Sequence, residues 1–126
     1  MTTPNIMIVD DDTSFVEAVT TFLRAHGYQV TKALTGRQGV DEARRQQVDL
    51  AVIDVYLPDV GGAVVARAMR HSHPTVPLIM ISSDDSPETV RKCIQAGACT
   101  FLPKPLIPRE FLSCISKWVD RGVATQ

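Results

Sequence analysis

Four short apolar runs each end on a polar group able to do chemistry. Ile6-Met7-Ile8-Val9 runs into Asp10-Asp11-Asp12, and Leu50-Ala51-Val52-Ile53 into Asp54. Leu78-Ile79-Met80-Ile81 ends in Ser82-Ser83, and Phe101-Leu102 in Pro103-Lys104-Pro105. As strands of an open parallel sheet, these runs would share one carboxyl edge, where such sheets bind ligands. Asp10, Asp11 and Asp54 would carry about −3 there if all were ionised, and each would raise the others' pKa. Lys104 offsets one charge. A hard divalent cation such as Mg2+ offsets two more, bound through carboxylate, carbonyl and water oxygens. Mg2+ takes only one or two carboxylates, so one remains free to attack phosphorus and form an aspartyl phosphate. Phosphoryl transfer asks mainly for positioning and for neutralisation of the equatorial oxygens. Mg2+, the Lys104 ammonium, the Ser82 hydroxyl and backbone N–H groups can supply both. The pattern thus gives metal holding to Asp10 and Asp11, phosphoryl acceptance to Asp54, and clamping to Ser82 and Lys104. Singly, each residue has an ordinary role. Asp12 and Asp59 read as turn formers or helix caps, a serine after a strand as a cap, and a lysine as solvated. The functional reading rests on their convergence at the ends of four strands.

The elements that must position these groups alternate between strand and helix. Ile6–Val9 reads as a strand buried on both faces. Phe15, Val19, Phe22 and Leu23 then recur at helical spacing, with Asp12 or Thr13 as the cap and Gly27 as the stop. Tyr28–Thr31 reads as the second strand, and Thr35 as the cap of a helix through about Gln46. Asp49–Val55 is the third strand, followed by a loop through Gly61-Gly62 and a helix over Ala63–Arg70. Pro77–Ile81 is the fourth strand. Ser86-Pro87 opens a helix that Gly97 closes. Thr100–Leu102 is the fifth strand, and Pro108 opens a last helix with Phe111, Leu112, Ile115 and Val119 on its inner stripe. This alternation predicts a single α/β domain with a parallel sheet over residues 4–120 and a short tail over 121–126. Pro103 cannot donate to a ladder, which places the fifth strand at a sheet edge.

The totals agree with one folded domain. The chain has 126 residues, 44% of them hydrophobic, enough for a core. Its net charge of −1 argues against direct nucleic-acid binding by this domain. The apolar runs are too short to span a bilayer, and no signal-like segment opens the chain, so a cytoplasmic protein is expected. Cys93, Cys99 and Cys114 lack metal or disulfide spacing and read as reduced, half-buried hydrophobes. His71 and His73, beside Pro74, read as a solvated loop, and Trp118 as a packing or partner residue on the last helix.

The chain resembles the receiver domain of two-component response regulators along nearly its whole length. The resemblance is carried by Ile8-Val9-Asp10-Asp11-Asp12, Val52-Ile53-Asp54-Val55-Tyr56-Leu57-Pro58, Met80-Ile81-Ser82-Ser83, Gly97-Ala98 and Phe101-Leu102-Pro103-Lys104-Pro105. It implies a doubly wound, flavodoxin-like sheet of five parallel strands in the order 2-1-3-4-5, with five helices. It implies that Asp54 accepts phosphate from a histidine kinase or a histidine phosphotransfer protein. Asp11 would be the direct Mg2+ ligand, with Asp10 acting partly through water and the Tyr56 backbone carbonyl as a further ligand. Ser82 matches the switch hydroxyl and Phe101 the switch aromatic. Lys104-Pro105 matches a pair whose peptide bond is usually cis. The face formed by the fourth helix, fifth strand and fifth helix would change on phosphorylation, signal to a downstream output domain or protein, and often dimerises in this family.

Some positions depart from the commonest family pattern. Phe101 has no hydroxyl where tyrosine is frequent, and Gly61 stands where an aspartate is common, which should loosen its loop. Tyr56 and Asp84 occupy the two positions that influence phosphate lifetime in the family; Tyr56 could either shield the phosphate or orient water. Three rivals compete with the switch reading. A phosphohydrolase with an aspartate nucleophile would want a second aspartate where Tyr56 stands. A flavin domain would need a phosphate loop where Asp10-Asp11-Asp12 would repel it. A degenerate receiver used only as an interaction module would lack key residues that this chain retains. On the leading reading the chain is not an enzyme, catalysing only its own phosphorylation and dephosphorylation.

Overall fold

In the computed structural model, residues 3–124 are described, with side chains described as far as Arg121. The strands are β1 (Asn5–Val9), β2 (Gln29–Ala33), β3 (Leu50–Asp54), β4 (Leu78–Ser82) and β5 (Thr100–Pro103). The helices are α1 (Thr13–Ala25), α2 (Gly36–Arg45), α3 (Gly62–Ser72), α4 (Pro87–Gln95) and α5 (Pro108–Ala124). All strand pairs are parallel, in the order β2-β1-β3-β4-β5, the order expected from the resemblance.

Every residue of β1, β3 and β4 is buried, whereas β2 and β5 are partly open. Helices on both faces are the reason the central strands are apolar without alternation. Ile6, Ile8, Leu50, Val52, Ile79 and Ile81 face α1 and α5, against Val16, Leu23, Phe111 and Ile115. Met7, Val9, Ala51, Ile53 and Met80 face α2, α3 and α4, against Ala43, Val65, Met69 and Cys93. Pro103 sits in β5, which pairs only with β4, so its missing N–H meets the open edge.

Local signals act largely as the sequence suggests. Asp12 caps α1 by accepting from Phe15 N, Thr35 caps α2 and Ser86 caps α4. Gly27 and Gly97 have φ of +90° and +107°, values that favour glycine at helix ends. Boundaries shift by a residue or two, as element ends do. The second strand runs two residues further than expected. α3 runs on through His71 and Ser72, so His71 is not in a loop. α5 continues through 121–124, which the sequence reading set apart as tail; residues 125–126 lie outside the described residues. The three cysteines are free, Cys93 buried and the other two half-buried. Trp118 packs part of its surface against the α1–α5 core. No helix among the described residues is long and apolar enough to cross a membrane.

Candidate functional site

Strand register brings the candidate residues to one edge. Val9 is level with Ile53, and Ile53 with Met80. Asp10 and Asp54 therefore leave the sheet at the same height, with Ser82 one step beyond, level with Pro103. The ladders continue just past the strands: Asp10 N donates to Ala33 O at 3.1 Å, and Lys104 N to Ser82 O at 2.9 Å. The Lys104–Pro105 peptide bond is cis, as the resemblance implied.

The three carboxylates do meet. One oxygen each from Asp10, Asp11 and Asp54 lies within 4.8 Å of the others. Asp10 is fully buried, Asp54 nearly so, and Asp11 exposed. Lys104 bridges the buried two, with Nζ 2.7 Å from Asp10 Oδ2 and 3.1 Å from Asp54 Oδ2. Its ammonium also lies 4.6 Å from the centroid of the Phe15 ring. Burial pushes the Asp54 carboxyl above its ordinary range, and the nearby charge of Asp10 pushes it further. The Tyr56 N–H and Lys104 oppose this only in part. For Lys104, burial acts to lower the pKa, but hydrogen bonds and charge from Asp10 and Asp54 outweigh it and the pKa is raised. The edge carries more negative charge than one lysine offsets. Three close carboxylate oxygens form a hard oxygen donor set, which fits a divalent cation of the Mg2+ type.

Ser82 is buried, and its Oγ accepts a hydrogen bond from Asp84 N at 3.0 Å. Phe101, half-buried on β5 level with Met80, packs against the α2–α3–α4 core rather than entering the carboxylate cluster. Tyr56 N donates to Asp54 Oδ1 at 3.1 Å. The Tyr56 hydroxyl reaches away and donates to Asp84 Oδ2 at 2.7 Å. Thr89 Oγ1 donates to the same oxygen at 2.7 Å. These two hydroxyls, the Thr89 one above all, hold the Asp84 carboxyl well below the ordinary carboxylate range.

Three contributors were not visible as site residues in the sequence. Thr89 joins the Asp84 cluster from α4, and only its place three residues after the Ser86 cap could have hinted at a local role. Asp59 is a cap, but of α2 rather than of the helix that follows it. Its carboxylate accepts from Gly36 N and Arg37 N, both at 2.9 Å, which ties the loop after Asp54 to α2. Gly61 is the uncapped N-cap of α3. Gly62 is a third: a Cβ there would clash with the Asp54 carbonyl oxygen, so only glycine lets α3 start this close to the end of β3. His73 is not solvated as expected, since its Nε2 lies 2.6 Å from Ala43 O.

Comparison with known proteins agrees with this geometry. The family model described as "Response regulator receiver domain" matches residues 6–116. A probable transcriptional regulatory protein, TcrX of Mycobacterium tuberculosis, is 33% identical over 95% of this chain and 52% of its own length. The transcriptional regulatory protein ZraR of Escherichia coli is 32% identical over 81% of this chain and 23% of its own. This chain thus spans from about a quarter to about half the length of these curated relatives. Among solved structures, a CheY-like receiver domain protein from Methanospirillum hungatei superposes with a TM-score of 0.95 at 29% identity, covering 99% of this chain and 100% of that one.

Proposed function

This chain belongs to the receiver domains of two-component response regulators, and from that membership we propose that it is a phosphorylation-controlled switch with Asp54 as its acceptor. The observation that carries the reading is the buried Asp54 carboxylate, held 3.1 Å from Lys104 Nζ and beside Asp10 and Asp11. The donor is a histidine kinase or a histidine phosphotransfer protein. A bond forms from an Asp54 oxygen to phosphorus as the donor's phosphorus–nitrogen bond breaks, and the electron pair stays with the departing imidazole. Asp10, Asp11, Asp54 and the Tyr56 backbone carbonyl would hold Mg2+, which when bound neutralises the phosphoryl oxygens alongside Lys104. Lys104, fixed between two carboxylates, is poised to move its ammonium onto the phosphoryl group.

Docking of the donor is supported by an apolar groove of about 620 Å³ beside the site. Phe15 and Phe22 of α1, Pro105 and Leu106 of the loop after β5, Phe111 of α5, and Lys104 line it. The groove reaches the site through Lys104, which is bonded to Asp10 and Asp54.

Once Asp54 is phosphorylated, the Ser82 hydroxyl turns to a phosphoryl oxygen and Phe101 turns inward, biasing a two-state equilibrium. The output surface is the α4–β5–α5 face, where Ile94 and Ile107 stand half exposed to solvent. This face serves a downstream output domain or protein, or a phosphorylation-dependent homodimer. Tyr56 and Asp84 tune how long the phosphate lasts. The switch is cytoplasmic, comprises the five strands and five helices, does not itself touch nucleic acid, and catalyses only its own phosphorylation and dephosphorylation.

The test is incubation with Mg2+ and a small acyl phosphate, followed by intact mass. One base-labile phosphoryl group on the native chain, absent from Asp54→Asn, is expected. An adduct that persists in Asp54→Asn would refute Asp54 as acceptor. Turnover of many phosphoesters per chain would point to a hydrolase instead.

A further inference from the structure

Tyr56 is strung between the acceptor and helix α4. Its backbone N–H is bonded to Asp54 Oδ1, while its hydroxyl lies on Asp84 with Thr89 Oγ1 only 3.2 Å away. Thr89 is buried at 5% exposure, whereas Tyr56 is 59% exposed. An exposed tyrosine beside a reactive site would ordinarily sample several rotamers. Here its hydroxyl is bonded to a carboxylate that two further donors hold in place, on a residue whose own N–H is also bonded. Thr89 Oγ1 bonds Asp84 Oδ2, Ser86 N bonds Asp84 Oδ1 at 3.1 Å, and Asp84 N bonds the Ser82 hydroxyl. Ser86 Oγ in turn donates to Thr89 Oγ1 at 3.2 Å, fixing the direction in which Thr89 donates.

The proton count decides what Tyr56 does. A phenol has one hydrogen to donate, and the Tyr56 hydrogen goes to Asp84. None is left to donate to a water at Asp54, and the ring is held between its backbone contact with Asp54 and its hydroxyl contact with Asp84. We propose that Thr89 and Asp84 form a latch that holds the Tyr56 ring as a fixed shield beside Asp54, so that helix α4 sets how long the aspartyl phosphate lasts. This rests on Asp54 being the acceptor. In hydrolysis a water oxygen bonds to phosphorus as the Asp54 oxygen–phosphorus bond breaks, leaving carboxylate and inorganic phosphate, with the water's proton released to solvent. A fixed ring limits the approach of that water, and a freed ring does not. Thr89 touches no reacting atom and acts through Asp84 and Tyr56, which makes it a positioning residue. A partner that draws the first turn of α4 away from Asp84 would release the shield and shorten the signal.

The test phosphorylates the chain with Mg2+ and an acyl phosphate, removes the donor, and follows loss of the phosphoryl mass with time. Four variants are compared with the native chain: Thr89→Val, Thr89→Ser, Tyr56→Phe and the double variant Thr89→Val/Tyr56→Phe. Loss of the latch should speed decay by about fivefold, equivalent to about 1 kcal/mol. Thr89→Val and Tyr56→Phe should each show this, the double variant should decay no faster than either, and Thr89→Ser should restore the native rate. A purely structural role for Thr89 would instead speed decay equally in the native and Tyr56→Phe backgrounds, and that result would overturn the latch. So would native or slower decay in Thr89→Val, or failure of Thr89→Ser to restore. If the native chain takes up no phosphoryl group, the acceptor reading itself fails, and the latch with it.

Discussion

Replacing Lys104 with methionine separates charge balance from packing at the site. Lys104 Nζ is the only cation within hydrogen-bond reach of the buried Asp10 and Asp54 carboxylates among the described residues, at 2.7 and 3.1 Å. Removing one partner of a buried ion pair costs roughly 3–5 kcal/mol, because the charge left behind is unpaired. The Lys104 side chain is 20% exposed, so water can enter where the ammonium was, and the lower end applies. Lys104→Met should therefore cost roughly 3 kcal/mol in EDTA at neutral pH. Methionine keeps an unbranched apolar stem but removes the ammonium from Asp10, Asp54 and the Phe15 ring, so the loss reports on charge. A divalent cation held by the three carboxylates supplies the missing positive charge and, by mass action, stabilises the folded state further. Most of the loss should then disappear in millimolar Mg2+. The assay is urea unfolding of the native chain and the variant, each with EDTA and with Mg2+. A loss of the same size in both buffers would refute the reasoning, since it would make Lys104 a packing residue. A loss below about 0.5 kcal/mol in EDTA, the scatter expected of surface substitutions, would refute it equally.

Two further substitutions probe the loop after Asp54. The two backbone N–H groups of α2 hold Asp59 at about 2, below the ordinary 3.8. A depressed carboxyl adds stability that is complete above pH 3.8 and is lost as pH falls through about 2. The stability gap between the native chain and Asp59→Asn should therefore narrow from pH 4 to pH 2 in urea titrations, and a gap that does not change with pH would reject the cap. Gly62→Ala drives a methyl into the Asp54 carbonyl and should cost about 2 kcal/mol. It should also slow phosphoryl uptake by moving the acceptor strand's end, and native stability and uptake together would show that α3 does not depend on this close approach.

What could be read from the sequence was what depends on neighbours along the chain or on strand periodicity. β1, β3 and β4 announce themselves as unbroken apolar runs because helices cover both their faces. Each apolar run is followed by a polar residue because it stops at the carboxyl edge of the sheet. That logic places Asp10, Asp54, Ser82 and Lys104 on one edge. Caps at Asp12, Thr35 and Ser86 were legible for the same reason, since each acts three residues away. Asp59 was legible as a cap but not as the cap of α2, because its partners lie 22 and 23 residues earlier. Thr89 was illegible as a partner of Tyr56. Its partner Tyr56 is 33 residues distant, and a threonine in the first turn of a helix carries no sign of what its hydroxyl meets.

The same distinction explains why two halves of the site differ in character. Asp54 ends β3 and Asp10 directly follows β1, strands whose register is set by buried ladders on both sides, so their spacing is a property of the core. Lys104 and the Tyr56–Asp84–Thr89 cluster sit on loops and on α4, joined by hydrogen bonds at the rim. On the proposed acceptor role, a phosphoryl group at Asp54 would add negative charge at a point already short of positive charge. The strands cannot yield to it without disrupting the sheet, so the response falls to the groups held by hydrogen bonds alone: the Lys104 ammonium, the Ser82 hydroxyl and, through Asp84, the first turn of α4. Asp84 N is bonded to the Ser82 hydroxyl. On the proposed switch, rotation of Ser82 toward Asp54 would pull on the residue that holds Tyr56 and Thr89, and the path from Asp54 to α4 would run through one aspartate.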